Sequence, residues 1–120
     1  MEYTYIDGIL RVGAGEHRVP PEFFMLDASL VEVYLPDSIQ VIGRNAFLGC
    51  VALGYVRFPK SGCDIHDGAF RGCPSLWNAD NADRIDRAGV TAFEEAPLRD
   101  CFRLTQFKDY LVPGGENGYL

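Results

Sequence analysis

Apolar side chains return along this chain at one fixed interval: Phe24, Phe47, Phe70 and Phe93 stand 23 residues apart, and the columns around them keep step. Leu30, Leu53 and Leu76 follow six residues after each phenylalanine; Val33, Val56, Ala79 and Phe102 nine after; Leu35, Phe58, Asn81 and Leu104 eleven after. One row earlier, Asp7, Leu10 and Val12 take the same places. The pattern L-x-x-V-x-L ends in period-two alternation, the signature of a short strand with one buried face. About five parallel strands are predicted, one per row. Pro36 and Pro59 follow two of them, where a residue without an N–H can end a ladder. Five residues before each phenylalanine, Val19, Ile42, Ile65 and Ala88 form a second inward-facing column on the return leg.

The segments between, such as IGRNAFLGC and IHDGAFRGC, are too short for long helices and carry glycine near both ends. They predict 3₁₀ or single-turn helices on the convex side. Parallel strands need crossover connections, and consecutive right-handed coils supply them without crossing the chain. The expected architecture is a right-handed solenoid forming a single domain over 1–120. Within it, 1–6 reads as a lead-in, 7–104 as about four to five repeats, and 105–120, closing in VPGGENGYL, as a C-terminal cap and tail.

The unit AF-x-GC-x-x-L is stated twice, around Phe47 and Phe70, and LPDSIQVIGRNAFLGCVALGYVRFP extends it. This stretch resembles the BspA-like leucine-rich repeat, LP-x-S-(V/I)-x-x-I-G-x-x-AF-x-x-C-x-x-L-x-x-(V/I)-x-(I/F)-P. The match is close over 35–76. After Ala82 it loosens: Ile85, Ala92 and Phe93 are kept, but EEAPL replaces the glycine, cysteine and spaced leucine, and Leu98 comes one place early. The resemblance implies a leucine-rich-repeat fold used for protein recognition, and larger members are often surface or secreted adhesins.

Composition supports a packed domain and narrows its partners. Apolar residues make up 48% and charged residues 23% of the chain, near the globular average. Eleven basic against 17 acidic residues give a net charge of −6, which repels a phosphate backbone and argues against nucleic acid. The start MEYTYIDG is unlike a signal peptide, and no run reaches the length of a membrane span, so the chain as written reads as cytoplasmic, with no membrane insertion. A cell-surface or secreted setting is expected instead if it is part of a longer adhesin-like protein.

The residues between the buried strand positions fall on the concave face in two columns: Ile9, Glu32, Tyr55, Asn78 and Cys101 in one; Arg11, Tyr34, Arg57, Asp80 and Arg103 in the other. Neighbours in a column are about 4.8 Å apart. Tyr34 beside Arg57 suits a cation–π contact, and Asp80 between Arg57 and Arg103 suits a charge ladder. Trp77 precedes this face, in a column with Gly8, Val31, Gly54 and Asp100, and is expected at its rim. Tyrosine, tryptophan and arginine dominate interface energetics because they bury large areas with few rotors and keep a polar handle. The candidate binding set is therefore Arg11, Glu32, Tyr34, Tyr55, Arg57, Trp77, Asn78, Asp80 and Arg103. Cross-strand pairing that merely stabilises the sheet is the competing reading of each.

Other constellations are weaker. Cys50 and Cys73 share one repeat position, three after the phenylalanine, where Ala96 is the later counterpart, so buried free thiols explain them. Cys63, His66 and Cys73 contain a C-x-x-H, but a closed zinc site needs four ligands and the repeat points Cys73 inward and His66 outward. No cofactor or metal is expected. Cys101 reads as an exposed thiol or as a sign that the row is misregistered. DNADRIDRAG lacks the glycine and terminal glutamate of a calcium loop. Glu94 and Glu95 diverge on any regular element, and His17 and His66 share no column, so no catalytic grouping emerges. A non-catalytic module binding another protein through its concave face is the expected function. The alternative is assembly, the chain self-associating through its ends or a sheet edge, with Tyr110 and Leu111 at one end.

Overall fold

The computed structural model describes residues 1–101. The backbone winds as a β-solenoid whose coils are laddered to one another on three sides. The first sheet contains β1 (Tyr3–Ile6), β2 (Ile9–Val12), β4 (Glu32–Tyr34), β6 (Tyr55–Arg57) and β8 (Asn78–Asp80), in that order. From β2 to β8 the pairing is parallel with a register of 23 residues per step: Leu10 lies opposite Val33, Val33 opposite Val56, Val56 opposite Ala79. The period of the sequence is thus the length of one coil. A second, wholly parallel sheet runs along the return leg through β3 (Arg18–Val19), β5 (Val41–Ile42), β7 (Asp64–Ile65) and β9 (Arg87–Ala88).

Between the sheets the expected inward columns are buried through the middle coils, while Asp7 at their start is exposed, Ala79 and Asn81 are partly buried, and Phe102 and Leu104 lie outside the described residues. Leu30, Leu53 and Leu76, Val33 and Val56, Val19, Ile42 and Ile65, and Phe47, Phe70 and Phe93 are at most 1% exposed and form one continuous core. The phenylalanine rings pile along the axis, Phe47 on Phe70 and Phe70 on Phe93, each at 5.3 Å between centroids.

The convex side differs from expectation. The segments 21–26, 44–49 and 67–72 are laddered turns, not 3₁₀ helices. Alternate N–H groups leave their own coil: those of Glu22, Phe24 and Leu26 donate to the carbonyls of Arg44, Ala46 and Leu48, while those of Met25 and Asp27 close turns on Glu22 and Phe24. A 3₁₀ helix would keep all these donors within one coil. The arrangement needs left-handed backbone at two columns, occupied by Glu22, Asn45 and Gly68 and by Leu26, Gly49, Gly72 and Glu95. Among the described residues 3₁₀ turns occur at Ala82–Arg84 and Pro97–Cys101.

The start of the chain differs as well. Residues 1–6 are more than a lead-in: Tyr3–Ile6 form β1, antiparallel to β2, with Tyr5 opposite Leu10 and Ile6 opposite Ile9. The linking Asp7 and Gly8 have φ of 53° and 78°, the two left-handed residues that a tight hairpin turn demands. The first sheet therefore has four parallel strands and one antiparallel strand among the described residues. The fifth parallel strand expected near 101–103 lies mostly outside them, and Cys101 belongs to a 3₁₀ turn instead of opening a strand. Leu98 is buried despite arriving one place early, because its N–H reaches the Leu76 carbonyl at 2.9 Å and draws it into the leucine column.

Candidate functional site

Strand alternation turns every second residue of the first sheet away from the core, and the parallel register aligns them. One row reads Thr4, Arg11, Tyr34, Arg57, Asp80 and the other Ile6, Ile9, Glu32, Tyr55, Asn78. At the centre, the rings of Tyr34 and Tyr55 meet at 5.4 Å between centroids. Arg11 lies over the Tyr34 ring with its guanidinium carbon 4.3 Å from the centroid, a contact worth about 0.5–1 kcal/mol at an exposed site. The Tyr34 hydroxyl donates to Glu32 Oε1 at 2.7 Å, and the Tyr55 hydroxyl donates to Asp80 Oδ2 at 2.7 Å. These bonds favour the neutral phenols. The bond to Glu32, then burial, raises the Tyr34 pKa, whereas burial first and Asp80 second push Tyr55 up to about 12. The result is a fixed aromatic lane of two tyrosines, with an arginine at one end and an aspartate at the other.

Arg57 does not play the role its column suggests. Its guanidinium turns toward the ends of the strands, donating to the Leu35 carbonyl at 2.6 Å and to Asp37 Oδ1 at 3.2 Å. Asp37 also accepts the Lys60 N–H at 2.9 Å, and that bond, followed by Arg57, holds its carboxyl below the usual range. The cation over Tyr34 is therefore Arg11, and Asp80 binds Tyr55 in place of an arginine ladder. Carbonyls left free beyond a short strand attract a long guanidinium more strongly than an exposed ring does, a competition invisible to column counting. Trp77, directly before β8, is 66% exposed, and Val31, two coils away in the same column, is 43% exposed. Asn78 is exposed on β8, the last strand of the first sheet among the described residues. Arg103 lies outside the described residues.

The thiols belong to the core. Cys50 Sγ donates to the Phe24 carbonyl and Cys73 Sγ to the Phe47 carbonyl, each at 3.1 Å. Burial pushes Cys50 up to about 11 and Cys63 and Cys73 up to about 12, far from the thiolate a nucleophile or a metal ligand requires. A lateral groove where the chain passes from the first sheet to the second gathers His17, Asp37, Ser38, Gln40, Ser61, Asp64 and Asp86. Its hydroxyls are rungs between coils: Ser38 Oγ donates to the carbonyls of Ala14 and Glu16, and Ser61 Oγ to that of Asp37. Each of these hydroxyls is thus engaged with backbone carbonyls of the preceding coil.

A family model for the BspA type leucine rich repeat region matches residues 17–109 in 6 copies, and the chain belongs to that family. Among solved structures it is similar to the crystal structure of the T. pallidum leucine rich repeat protein, at 20% identity over 75% of this chain and 68% of that one, with a TM-score of 0.42. No curated protein matches the chain. Leucine-rich repeats are in general scaffolds for contacts between proteins, built without catalytic machinery.

Proposed function

We propose that this chain is a non-catalytic recognition module that holds a partner protein on the outer face of its first sheet. The observation that carries the reading is the lane of Arg11, Tyr34 and Tyr55, whose rings and guanidinium are already fixed in contact. Side chains held in place before a partner arrives lose little entropy on binding, which is how small rigid surfaces gain affinity. Asp80 and Asn78 extend the lane, Glu32 braces it, Trp77 offers the largest exposed apolar surface at its rim, and Arg57 shapes the strand ends.

The test is capture of partners by the immobilised protein against an Arg11→Ala, Tyr34→Ala, Tyr55→Ala triple variant of unchanged far-ultraviolet circular dichroism. The expected result is at least a tenfold loss of captured partner, about 1.4 kcal/mol of binding energy. Equal retention by the variant would move the binding site off this face.

A further inference from the structure

β1 stands at one end of the first sheet, and one side of its backbone faces no other strand among the described residues. Which groups that side presents follows from one bond: the Gly13 N–H donates to the Glu2 carbonyl at 2.8 Å. Bonded and non-bonded pairs alternate along an antiparallel ladder. Thr4 and Ile6 therefore direct their N–H and C=O groups toward β2, and Tyr3 and Tyr5 direct theirs outward. Side chains alternate in the other sense. Tyr3 and Tyr5, opposite the buried Val12 and Leu10, lie on the core side, with Tyr3 5.1 Å from Phe23 and Tyr5 4.8 Å from Phe24 between centroids. Thr4, opposite Arg11, lies on the outer face.

Natural edge strands are blunted by lysine, proline, inward-pointing charge or a bulge. The sequence Tyr3–Ile6 has no charge and no proline, and its pairing with β2 runs without a bulge. Beside it the end of the solenoid is apolar. Tyr3, Met25 and Leu26 are 44%, 36% and 67% exposed, around a groove lined by Tyr3, Tyr5, Phe23, Phe24, Met25 and Asp27, whose Oδ1 is engaged by the Tyr5 hydroxyl and the N–H groups of Ser29 and Leu30. Leu26 is held there at φ 65°, in a column where the next two coils use glycine. A strained, exposed leucine at that place is costly to the free monomer.

We propose that β1 pairs antiparallel with β1 of a second copy, about a two-fold axis normal to the sheet that passes between the two Thr4 residues. This operation sets Tyr3 of each copy against Tyr5 of the other, joining the outward N–H and C=O groups of both. It also leaves both solenoids on the same side of the joined sheet, so their aromatic ends meet beneath it. A second copy is the occupant that answers both features at once. A lone peptide strand would pair the open amides and leave the rings in water. The chain's net charge of −6 opposes association at long range, but the strand that meets its twin carries none of that charge. The dimer leaves Arg11, Tyr34 and Tyr55 uncovered and does not depend on their binding role.

Sedimentation equilibrium of the wild type across a range of concentrations, with Thr4→Lys as comparison, tests the interface. Thr4 is exposed, so the substitution leaves the monomer folded, but two lysines would lie directly opposite at the axis and weaken the dimer about tenfold. Added salt should strengthen the wild-type dimer by screening its net charge. The register is read from a Thr4→Cys variant in a Cys101→Ser background: with diamide taking up the two hydrogens released, it should form a disulfide dimer faster than an Ala28→Cys control. A monomeric wild type overturns the proposal, and is the outcome if residues 102–120 of the same chain cover the edge instead. A dimer indifferent to Thr4→Lys, or Thr4→Cys linking no faster than the control, overturns it equally.

Discussion

The coils around Phe47 and Phe70 and the coil around Phe24 share one plan but differ at nearly every position of the convex turn. In the middle coils the residue before the phenylalanine is Ala46 or Ala69, both fully buried; in the first it is Phe23, half-exposed and covered by Tyr3. Three positions after the phenylalanine the middle coils have Cys50 and Cys73, each donating its thiol hydrogen to the preceding coil. Among the described residues the first coil is flanked on that side by the β1 hairpin and not by another coil. It has Asp27 there, an acceptor, whose Oδ1 takes the Tyr5 hydroxyl at 3.1 Å and the N–H groups of Ser29 and Leu30 at 2.8 and 3.1 Å. The same column thus changes from small donor to acceptor, and its neighbour from small to large, where the stack ends. A repeat position specifies a residue only while a coil lies on either side of it.

Alkaline titration should separate the two regions most strongly. Cys50, Cys63 and Cys73 have folded pKa values raised from 9 to about 11, 12 and 12, chiefly by burial. A group raised on folding contributes stability that is complete below its unfolded pKa and is lost as pH rises through the folded one. Urea unfolding should therefore be flat from pH 7 to 8 and then fall by about 2 kcal/mol per thiol between pH 9 and 11. A Cys50→Ala, Cys73→Ala variant should lose most of that slope. A slope unchanged by the substitutions would mean that the tyrosines, not the middle-coil thiols, control alkaline unfolding.

Truncating the phenylalanine column comes next. Phe47 is fully buried and stacked on Phe70, so Phe47→Ala should cost about 3–5 kcal/mol in chemical denaturation. Phe24 is partly exposed, with Tyr3 and Tyr5 against it in place of a whole coil. Phe24→Ala should cost no more than about half as much, because part of the cavity opens to water. Equal losses would mean that the hairpin seals the end as well as a coil does.

The sequence made the interior legible because its period, 23 residues, equals the coil length and each inward column keeps its chemistry. The aligned outer rows of Tyr34, Tyr55 and Asp80 followed from the same count. What the count missed lies where bonding runs between coils. Two-residue strands such as Val41–Ile42 exist only because a neighbouring coil completes them, and no local pattern marks so short an element. Arg57 left its row for the Leu35 carbonyl, a group that appears in no side-chain column. The hairpin had a local signal, Asp7-Gly8 between the alternating runs YTYI and ILRV, but reading Asp7 as a repeat position obscured it.

The smallest contrast lies in the left-handed column, and its two halves should differ in sign. Gly49 sits at φ 69°, and a Cβ added there would stand 2.5 Å from Leu26 Cδ2. That side chain can move aside, but the backbone conformation cannot, so Gly49→Ala should destabilise by about 1–2 kcal/mol. Leu26 adopts nearly the same backbone, at φ 65°, with its side chain 67% exposed. Leu26→Gly relieves the steric penalty but gives the unfolded chain more freedom. The two effects leave a gain of up to about 1 kcal/mol in the dilute monomer. If Leu26 helps to cover the N-terminal end in a dimer, that gain should shrink or reverse at concentrations where the dimer forms. Thermal unfolding of both variants at low and high protein concentration measures this directly. A Leu26→Gly protein as destabilised as Gly49→Ala at every concentration would show that the leucine is held by contacts within its own coil, and that the first coil differs from the middle ones in composition but not in what its surface does.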